Sequence, residues 1–368
     1  MGIGPDYTRL VEIESPLAAF STLTTACAQM AETVSIEVNT EDPEAEAMDR
    51  AAAIIRGGGL VAFPTETVYG LGADAMNRSA VKRIFQAKGR PSDNPLIVHL
   101  SGPDMLGEVA EDIPRQAYLL IDRFWPGPLT LVLSRRAGIA DWVAAGLSTI
   151  AVRMPRGRIA LELIRRSRTP IAAPSANMSG RPSPTRARDV WMDLNGKIDL
   201  VLDGGPTVVG IESTVLDLTA RPPIILRPGW ISRLELEAVI GRVRRPATEE
   251  ELKRSPGTRH RHYSPRARVV LVQGSTPEAL RRICLGLHGC GKVAFIGHSK
   301  LDLASEFVEQ ILLDNDAKAY ARAIYSAFRD LDAAGASVIV VQATEGDDAS
   351  DAIMDRLRRA ASQIITGG

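Results

Sequence analysis

Two short triads hold the densest chemistry in this chain, Lys88-Gly89-Arg90 and Ser175-Ala176-Asn177. In the first, a glycine lets backbone approach a ligand while its two cationic neighbours supply charge, which makes a natural anion pocket. The second sets a hydroxyl and an amide two residues apart, just after the apolar run Pro170–Ala173. More polar residues stand beside glycine or proline at the ends of apolar runs. They include Arg153 after Ile150–Val152, the stretch Gly210-Ile211-Glu212-Ser213-Thr214, and Arg227-Pro228-Gly229. Lysine, arginine, hydroxyls and glycine turns are the groups that position phosphates and a small zwitterion. Each also has a plainer account. Lys88 and Arg90 complement a helix C-terminal dipole, and a lone turn residue bonds local backbone.

Other chemistries find little support. No G-x-S-x-G elbow occurs, histidines number five, and no acidic pair flanks an obvious cleft sequence, so a covalent enzyme intermediate is not expected. Cys27, Cys284 and Cys290 form neither a C-x-x-C pair nor an even set, which points to a reducing compartment without structural zinc. His260-x-His262 has no further ligands nearby and is not read as a metal pair. His288-Gly289-Cys290-Gly291-Lys292 precedes a strand and lacks the spacing of a phosphate loop. Lys plus Arg equals Asp plus Glu at 44 each, so no global field draws the chain to nucleic acid or a membrane. No apolar run is long enough to span a bilayer. The expected location is cytoplasmic.

The positioning elements read as alternating strands and helices. Leu60–Phe63 is a buried strand after three glycines, Pro64–Glu66 a polar turn, and Gly70-Leu71-Gly72 a glycine-punctuated loop. Ser79 is read as the cap of a helix with apolar face Val81, Ile84, Phe85 and Ala87, ended by Lys88-Gly89-Arg90-Pro91 with both cations at an exposed helix end. Upstream, Val34–Val38 is a short strand, and Asp42 caps a helix with Pro43 at its first position, running to Arg56. Pro95–Leu100, Leu129–Leu133, Ile150–Val152, Leu200–Leu202 and Ile224–Leu226 supply further strands. Polar residues at strand ends are where open α/β sheets place ligand groups. Residues 246–268 form a Pro- and charge-rich linker. From Val269 a smaller unit restarts with strands Val269–Val272, Lys292–Ile296 and Val338–Val341 and the helix Ala317–Ala334, a Rossmann-like parallel α/β domain. Residues 1–32 read as a disordered leader, since Asp6, Glu12 and Glu14 stand where a targeting sequence would carry positive charge.

The segments PTETVYGLG and KGRPSDNPLIVH, with Lys88-x-Arg90 and Ser175-x-Asn177 in order, resemble the YrdC-like threonylcarbamoyl-AMP synthase family. The likeness spans 33–245 as a catalytic domain and runs through 246–268 into the C-terminal domain, 269–368, of the family's longer members. It implies an α/β catalytic domain with a twisted mixed sheet and flanking helices. It further implies synthesis of L-threonylcarbamoyl-AMP from L-threonine, bicarbonate or carbon dioxide, and ATP with Mg2+, the first step of threonylcarbamoyladenosine formation on tRNA. Partners so implied are the downstream tRNA threonylcarbamoyl transferase enzymes, with at most a weak tRNA contact.

By the same resemblance, Thr67, His99, Arg153, Ser213 and the backbone at Ala173 hold threonine. Arg90, Asn94, Thr149, Ser175, Asn177, Ser183, Arg227 and His260 face the nucleotide, and Lys88 and Arg90 stabilise the departing pyrophosphate. The linker departs from the family's usual SPGMRYRHYAP at Thr258 and His260, which leaves the His260 contact the least secure. Residues 255–265 are expected to cross the site as a lid, and the C-terminal domain to act chiefly as its anchor. A hydrogenase-maturation carbamoyltransferase of similar fold would need paired C-x-x-C motifs, absent here. A non-catalytic RNA-binding relative would need a basic surplus.

Overall fold

The computed structural model describes residues 32–137, 141–252, 255, 263–303, 309–314, 316–344 and 348–366. The expected leader falls almost wholly outside them, as do His260 and most of the expected lid.

The N-terminal half is built on one mixed sheet of eleven strands. Its spine runs Val34–Glu37, Leu200–Asp203, Val61–Pro64, Tyr69–Asp74, Ile171–Ala172, Ile97–His99, Thr149–Arg153, Leu129–Arg135, Thr214–Asp217 and Ile224–Arg227, with Ala110–Glu111 paired to Leu129–Arg135. Central strands such as Val61–Pro64 are buried on both faces, which is why they read as continuous apolar runs. Helices Ala45–Arg56 and Arg158–Ser167 pack on each other, each burying an apolar stripe that includes Ile55 and Leu163.

Three local readings differ from expectation. Gly70-Leu71-Gly72 is part of the strand Tyr69–Asp74, antiparallel to Val61–Pro64. A Cβ at Gly72 would lie 2.7 Å from the Phe63 ring and 2.9 Å from Ile171, so close sheet packing, with no loop, calls for glycine. The cap of Arg78–Lys88 is Asn77, whose side chain accepts from the amides of Ser79 and Ala80. The first helix begins at Ala45 after Glu44. Asn39 Oδ1 accepts from the amides of Glu41 and Asp42, so Asp42 belongs to the turn.

The C-terminal half carries an all-parallel five-stranded sheet in the order Gln310–Leu312, Val293–Gly297, Val338–Gln342, Arg268–Gln273, Gln363–Thr366. Its helix Ala317–Ala333 and its helix Asp348–Ala360 pack together. The linker is not bare, for it contains the short helix Glu249–Leu252. No helix among the described residues is long and apolar enough to cross a membrane.

The two halves share a core. Val68, Val209, Ile211 and Tyr263 lie in the same buried cluster as Tyr320, Ile324, Tyr325, Phe328, Ile353 and Leu357. Ion pairs ring that contact, including Arg186 with Asp330 at 2.9 Å and Arg329 with Asp193 at 2.9 Å.

Candidate active site

Parallel pairing of Ile97–His99 with Thr149–Arg153 sets His99 beside Arg153 at the ends of their strands. Arg153 is buried, and its Nη1 donates to Thr67 Oγ1 at 3.0 Å while its Nε donates to the Gly127 carbonyl at 3.1 Å. Its Nη2 lies 2.7 Å from Glu66 Oε1. Burial, followed by the nearby Arg153 charge, drives the His99 pKa down to about 3, so its imidazole is neutral across the physiological range. His99 Nδ1 is buried without a hydrogen-bond partner. Among the described residues that makes it a bonding group held ready beside a cation.

Opposite, Ser213 Oγ shares a 2.7 Å hydrogen bond with Thr130 Oγ1 and accepts from Arg227 Nη2 at 3.1 Å. Gly229 makes that approach fit, since a Cβ there would stand 2.3 Å from the Thr214 amide nitrogen. Arg90 projects from the loop after helix Arg78–Lys88, whose C-cap Gly89 is left-handed at φ 59°. Its Nε donates to the Asn94 carbonyl at 3.2 Å and its Nη2 to the Pro95 carbonyl at 2.9 Å. Desolvation lowers the Arg90 pKa to about 10 and lowers that of Arg227, yet both remain cations at neutral pH. Burial makes each charge act more strongly on an anion.

One cavity is lined by Thr67, Arg90, His99, Arg153, Ala173, Ser175, Ser213 and Arg227, together with Glu212 and Tyr263. The Ala173 amide donates to the Ile97 carbonyl at 2.9 Å, so the carbonyl is the backbone group it can offer a ligand. Ser175 is zipped onto the Tyr69–Asp74 strand: the Leu71 amide donates to Pro174 and the Ala176 amide to Tyr69, both at 2.8 Å.

Other expected residues stand behind the wall. Lys88 is only 1% exposed, so the exposed helix end expected for it is not what the fold builds. Its Nζ donates to the carbonyls of Ser175 and Asn177, both at 2.5 Å, and burial pushes its pKa well down. It ties helix to loop and does not line the cavity. Asn177 accepts from Ser175 Oγ at 2.5 Å and donates to the carbonyls of Met178 and Arg181. Asn94 is fully buried, and Ser183 Oγ donates to Glu212 at 2.5 Å. Thr149 sits at the far end of its strand from Arg153, about 13 Å along it at ~3.3 Å per residue. There it lines a separate surface cavity with Ser134 and Thr219.

Glu66, Glu212, Tyr325 and Arg356 complete the site and were not among the expected residues. Tyr325 OH donates to Glu212 Oε2 at 3.0 Å, and Arg356 Nε donates to the same oxygen at 2.8 Å. Tyr263 stacks on Tyr325 with ring centroids 5.5 Å apart. Among the described residues the C-terminal half therefore braces the wall from behind, at Glu212 and Tyr263.

The described residues do not fit a resident magnesium. Among the described residues, no three His, Cys, Asp or Glu side chains converge on a point. The cavity's carboxylate, Glu212, already accepts from Ser183, Tyr325 and Arg356. A magnesium ion would arrive as part of the nucleotide substrate, held by its phosphates.

Comparison with known proteins matches this organisation. Residues 53–229 match the Sua5–YciO–YrdC family model, described as "Telomere recombination". Residues 231–362 match the "Threonylcarbamoyl-AMP synthase, C-terminal domain". The threonylcarbamoyl-AMP synthase of Pyrococcus abyssi is 46% identical over 86% of this chain and 94% of its own length. That of Bacillus subtilis is 42% identical over 89% and 96%. The crystal structure of P. abyssi Sua5 complexed with L-threonine superposes with a TM-score of 0.86 at 45% identity, covering 91% of this chain and 99% of that one. The chain therefore belongs to the Sua5/YrdC family of threonylcarbamoyl-AMP synthases, in its two-domain form.

Proposed function

We propose that the protein condenses L-threonine, bicarbonate or carbon dioxide, and ATP into L-threonylcarbamoyl-AMP and pyrophosphate, the first step of threonylcarbamoyladenosine formation on tRNA. The observation that carries this reading is one cavity lined by three arginines, Arg90, Arg153 and Arg227, together with Thr67, Ser213 and the neutral His99.

In this reading the threonine carboxylate meets Arg153, its hydroxyl meets Thr67, Ser213 or His99 Nδ1, and the Ala173 carbonyl accepts from its amine. The neutral amine nitrogen bonds to the carbon of carbon dioxide and gives up a proton to water, or bonds to that of bicarbonate with loss of water, and forms a carbamate. A carbamate oxygen then attacks the α-phosphorus, and pyrophosphate leaves with the electrons of the broken P–O bond. Arg90 and Arg227 stabilise the charge that develops on it. With its pKa near 3, His99 orients substrate and does not serve as a base at neutral pH. Lys88 and Asn177 hold the Ser175 loop in place, Asn94 anchors Arg90 through its carbonyl, and Ser183 reaches the site through Glu212. Thr149 is given no role in this cavity. The product is a mixed anhydride of a carbamate and a phosphate, so its consumer is an enzyme that transfers the threonylcarbamoyl group to tRNA with release of AMP.

The test is pyrophosphate release from ATP with threonine and bicarbonate present, omitting each in turn. Release is expected to need all three, and threonine-independent release would remove the assigned reaction.

A further inference from the structure

Arg356, on the last helix of the C-terminal half, is 1% exposed. Replacing a buried ion pair by apolar side chains often leaves a fold equally stable, so stability alone is a weak reason for one here. Its contacts indicate another reason. Nε donates to Glu212 Oε2 at 2.8 Å, and Nη2 donates to the carbonyl of Pro228 at 3.0 Å, the residue after Arg227. The guanidinium carbon lies 5.3 Å from the centre of the Tyr263 ring. Nη1 alone turns back to its own helix, to Asp355 at 2.6 Å. Glu212 and Tyr263 line the cavity, and so does Arg227.

We propose that Arg356 is a positioning residue of the active site, which neutralises and fixes Glu212 so that the charge of Arg227 acts on the phosphates of the nucleotide and is not spent on Glu212. The proposal rests on the adenylating reading given above. A carboxylate beside Arg227 and Ser213 is otherwise the wrong charge for a cavity that receives a polyphosphate. Without Arg356, the cation nearest in charge and place to neutralise Glu212 is Arg227, the group the nucleotide needs. Tyr325 and Ser183 each donate one neutral hydrogen bond to Glu212, which orients the carboxylate without cancelling its charge. Burial alone would raise the Glu212 pKa, but Arg356, then Arg227 and the Ser183 bond outweigh it and hold the group ionised. The C-terminal half thus sets the electrostatic balance of a site in the other half, beyond serving as an anchor.

The experiment compares the full-length protein with Arg356→Met, Glu212→Gln and the double variant. KM for ATP and for threonine are read from pyrophosphate release, and ATP-induced thermal shifts are read in parallel. Leaving one member of a buried pair uncompensated is expected to raise the ATP KM of Arg356→Met at least ~10-fold, more than its threonine KM. Adding Glu212→Gln is expected to recover most of that loss, even where the melting temperature stays lowered. A purely structural Arg356 would give a double variant no better than Arg356→Met. That result, or an unchanged ATP KM in a folded Arg356→Met, overturns the proposal. If Arg356→Met does not fold, Arg356→Gln, which removes the charge but can still donate a hydrogen bond, is compared with Arg356→Gln/Glu212→Gln, and the same recovery of ATP KM is required. If the unmodified protein shows no threonine-dependent release, the adenylating reading fails by itself, and the ATP thermal shifts still rank the variants.

Discussion

Arg153 Nη2 and Glu66 Oε1 stand 2.7 Å apart in a buried ion pair, yet they are not aligned as a hydrogen bond. Arg153 therefore carries a carboxylate before any substrate arrives and keeps directional bonding capacity on the same nitrogen. Glu66 is held from behind, where its Oε2 accepts from the Arg156 amide at 3.2 Å and its carbonyl accepts from Val209. A substrate carboxylate must share Arg153 with it.

Glu66→Gln should expose this sharing. The substitution leaves a buried cation uncompensated, which costs about 3–5 kcal/mol when a pair is broken from one side. The free variant should melt lower than the unmodified protein, and threonine, bringing its own carboxylate, should raise its melting temperature by more. Equal threonine shifts in the two proteins would place the substrate carboxylate elsewhere.

Arg90→Ala should lower the rate of adenylate formation through about 2–4 kcal/mol of lost transition-state stabilisation. Because Arg90 also bonds the carbonyls of Asn94 and Pro95, a modest fall in stability should accompany it. Single-turnover kinetics with ATP separate the two effects. Near-normal turnover would show that the triphosphate lies away from this side chain.

His99 predicts a pH dependence of stability. Its folded pKa of about 3 lies below the ordinary histidine value, so the unfolded chain binds a proton more readily than the fold does. Its contribution is fully present above about pH 6.5 and is lost as pH falls from there toward 3, by at most ~1.4 kcal/mol per pH unit. Denaturant unfolding across that window should give a flatter profile for His99→Gln than for the unmodified protein. Identical slopes would mean that His99 charges freely in the fold.

Gly210 tests how closely the two halves depend on each other. It adopts φ +85°, and a Cβ there would lie 2.4 Å from the Ala321 carbonyl oxygen and from Arg322 Cα. Its amide donates to the Thr67 carbonyl at 3.0 Å. Gly210→Ala combines left-handed strain with overpacking and should cost roughly 2–4 kcal/mol, with loss of activity. Gly205, at φ +75° with open space around it, is the control and should bear the strain alone. Equal losses at both positions would argue against a tight seam.

Much of the site was legible because its groups sit where apolar runs end. Arg153 and Arg227 close short buried strands, and Lys88-Gly89-Arg90 closes a helix. Of the missed groups, Glu66 and Glu212 lie in loops beside Thr67 and Ser213, while Tyr325 and Arg356 lie inside helices, where period hides them. Tyr325 follows Ile324 on a long amphipathic helix, and Arg356 shares its helix with Arg358 and Arg359. Only contact with the other half makes Arg356 the buried one, while Arg358 stays exposed. The strand at Gly70-Leu71-Gly72 escaped for the opposite reason. Both its faces are buried and one of them carries only glycine at Gly70 and Gly72, so the side-chain pattern that marks a strand is missing there. The helix end at Lys88 is legible in the sequence, but its burial is not, since that follows from the Ser175–Asn177 loop more than eighty residues on.

The most direct measurement follows the carbon of bicarbonate. The protein is incubated with ATP, threonine and carbon-labelled bicarbonate, and the nucleotide products are resolved by mass spectrometry. The account predicts one adenylate that contains threonine and the labelled carbon, with one pyrophosphate released for each. ATP consumed with no label in any threonine-containing adenylate would contradict it.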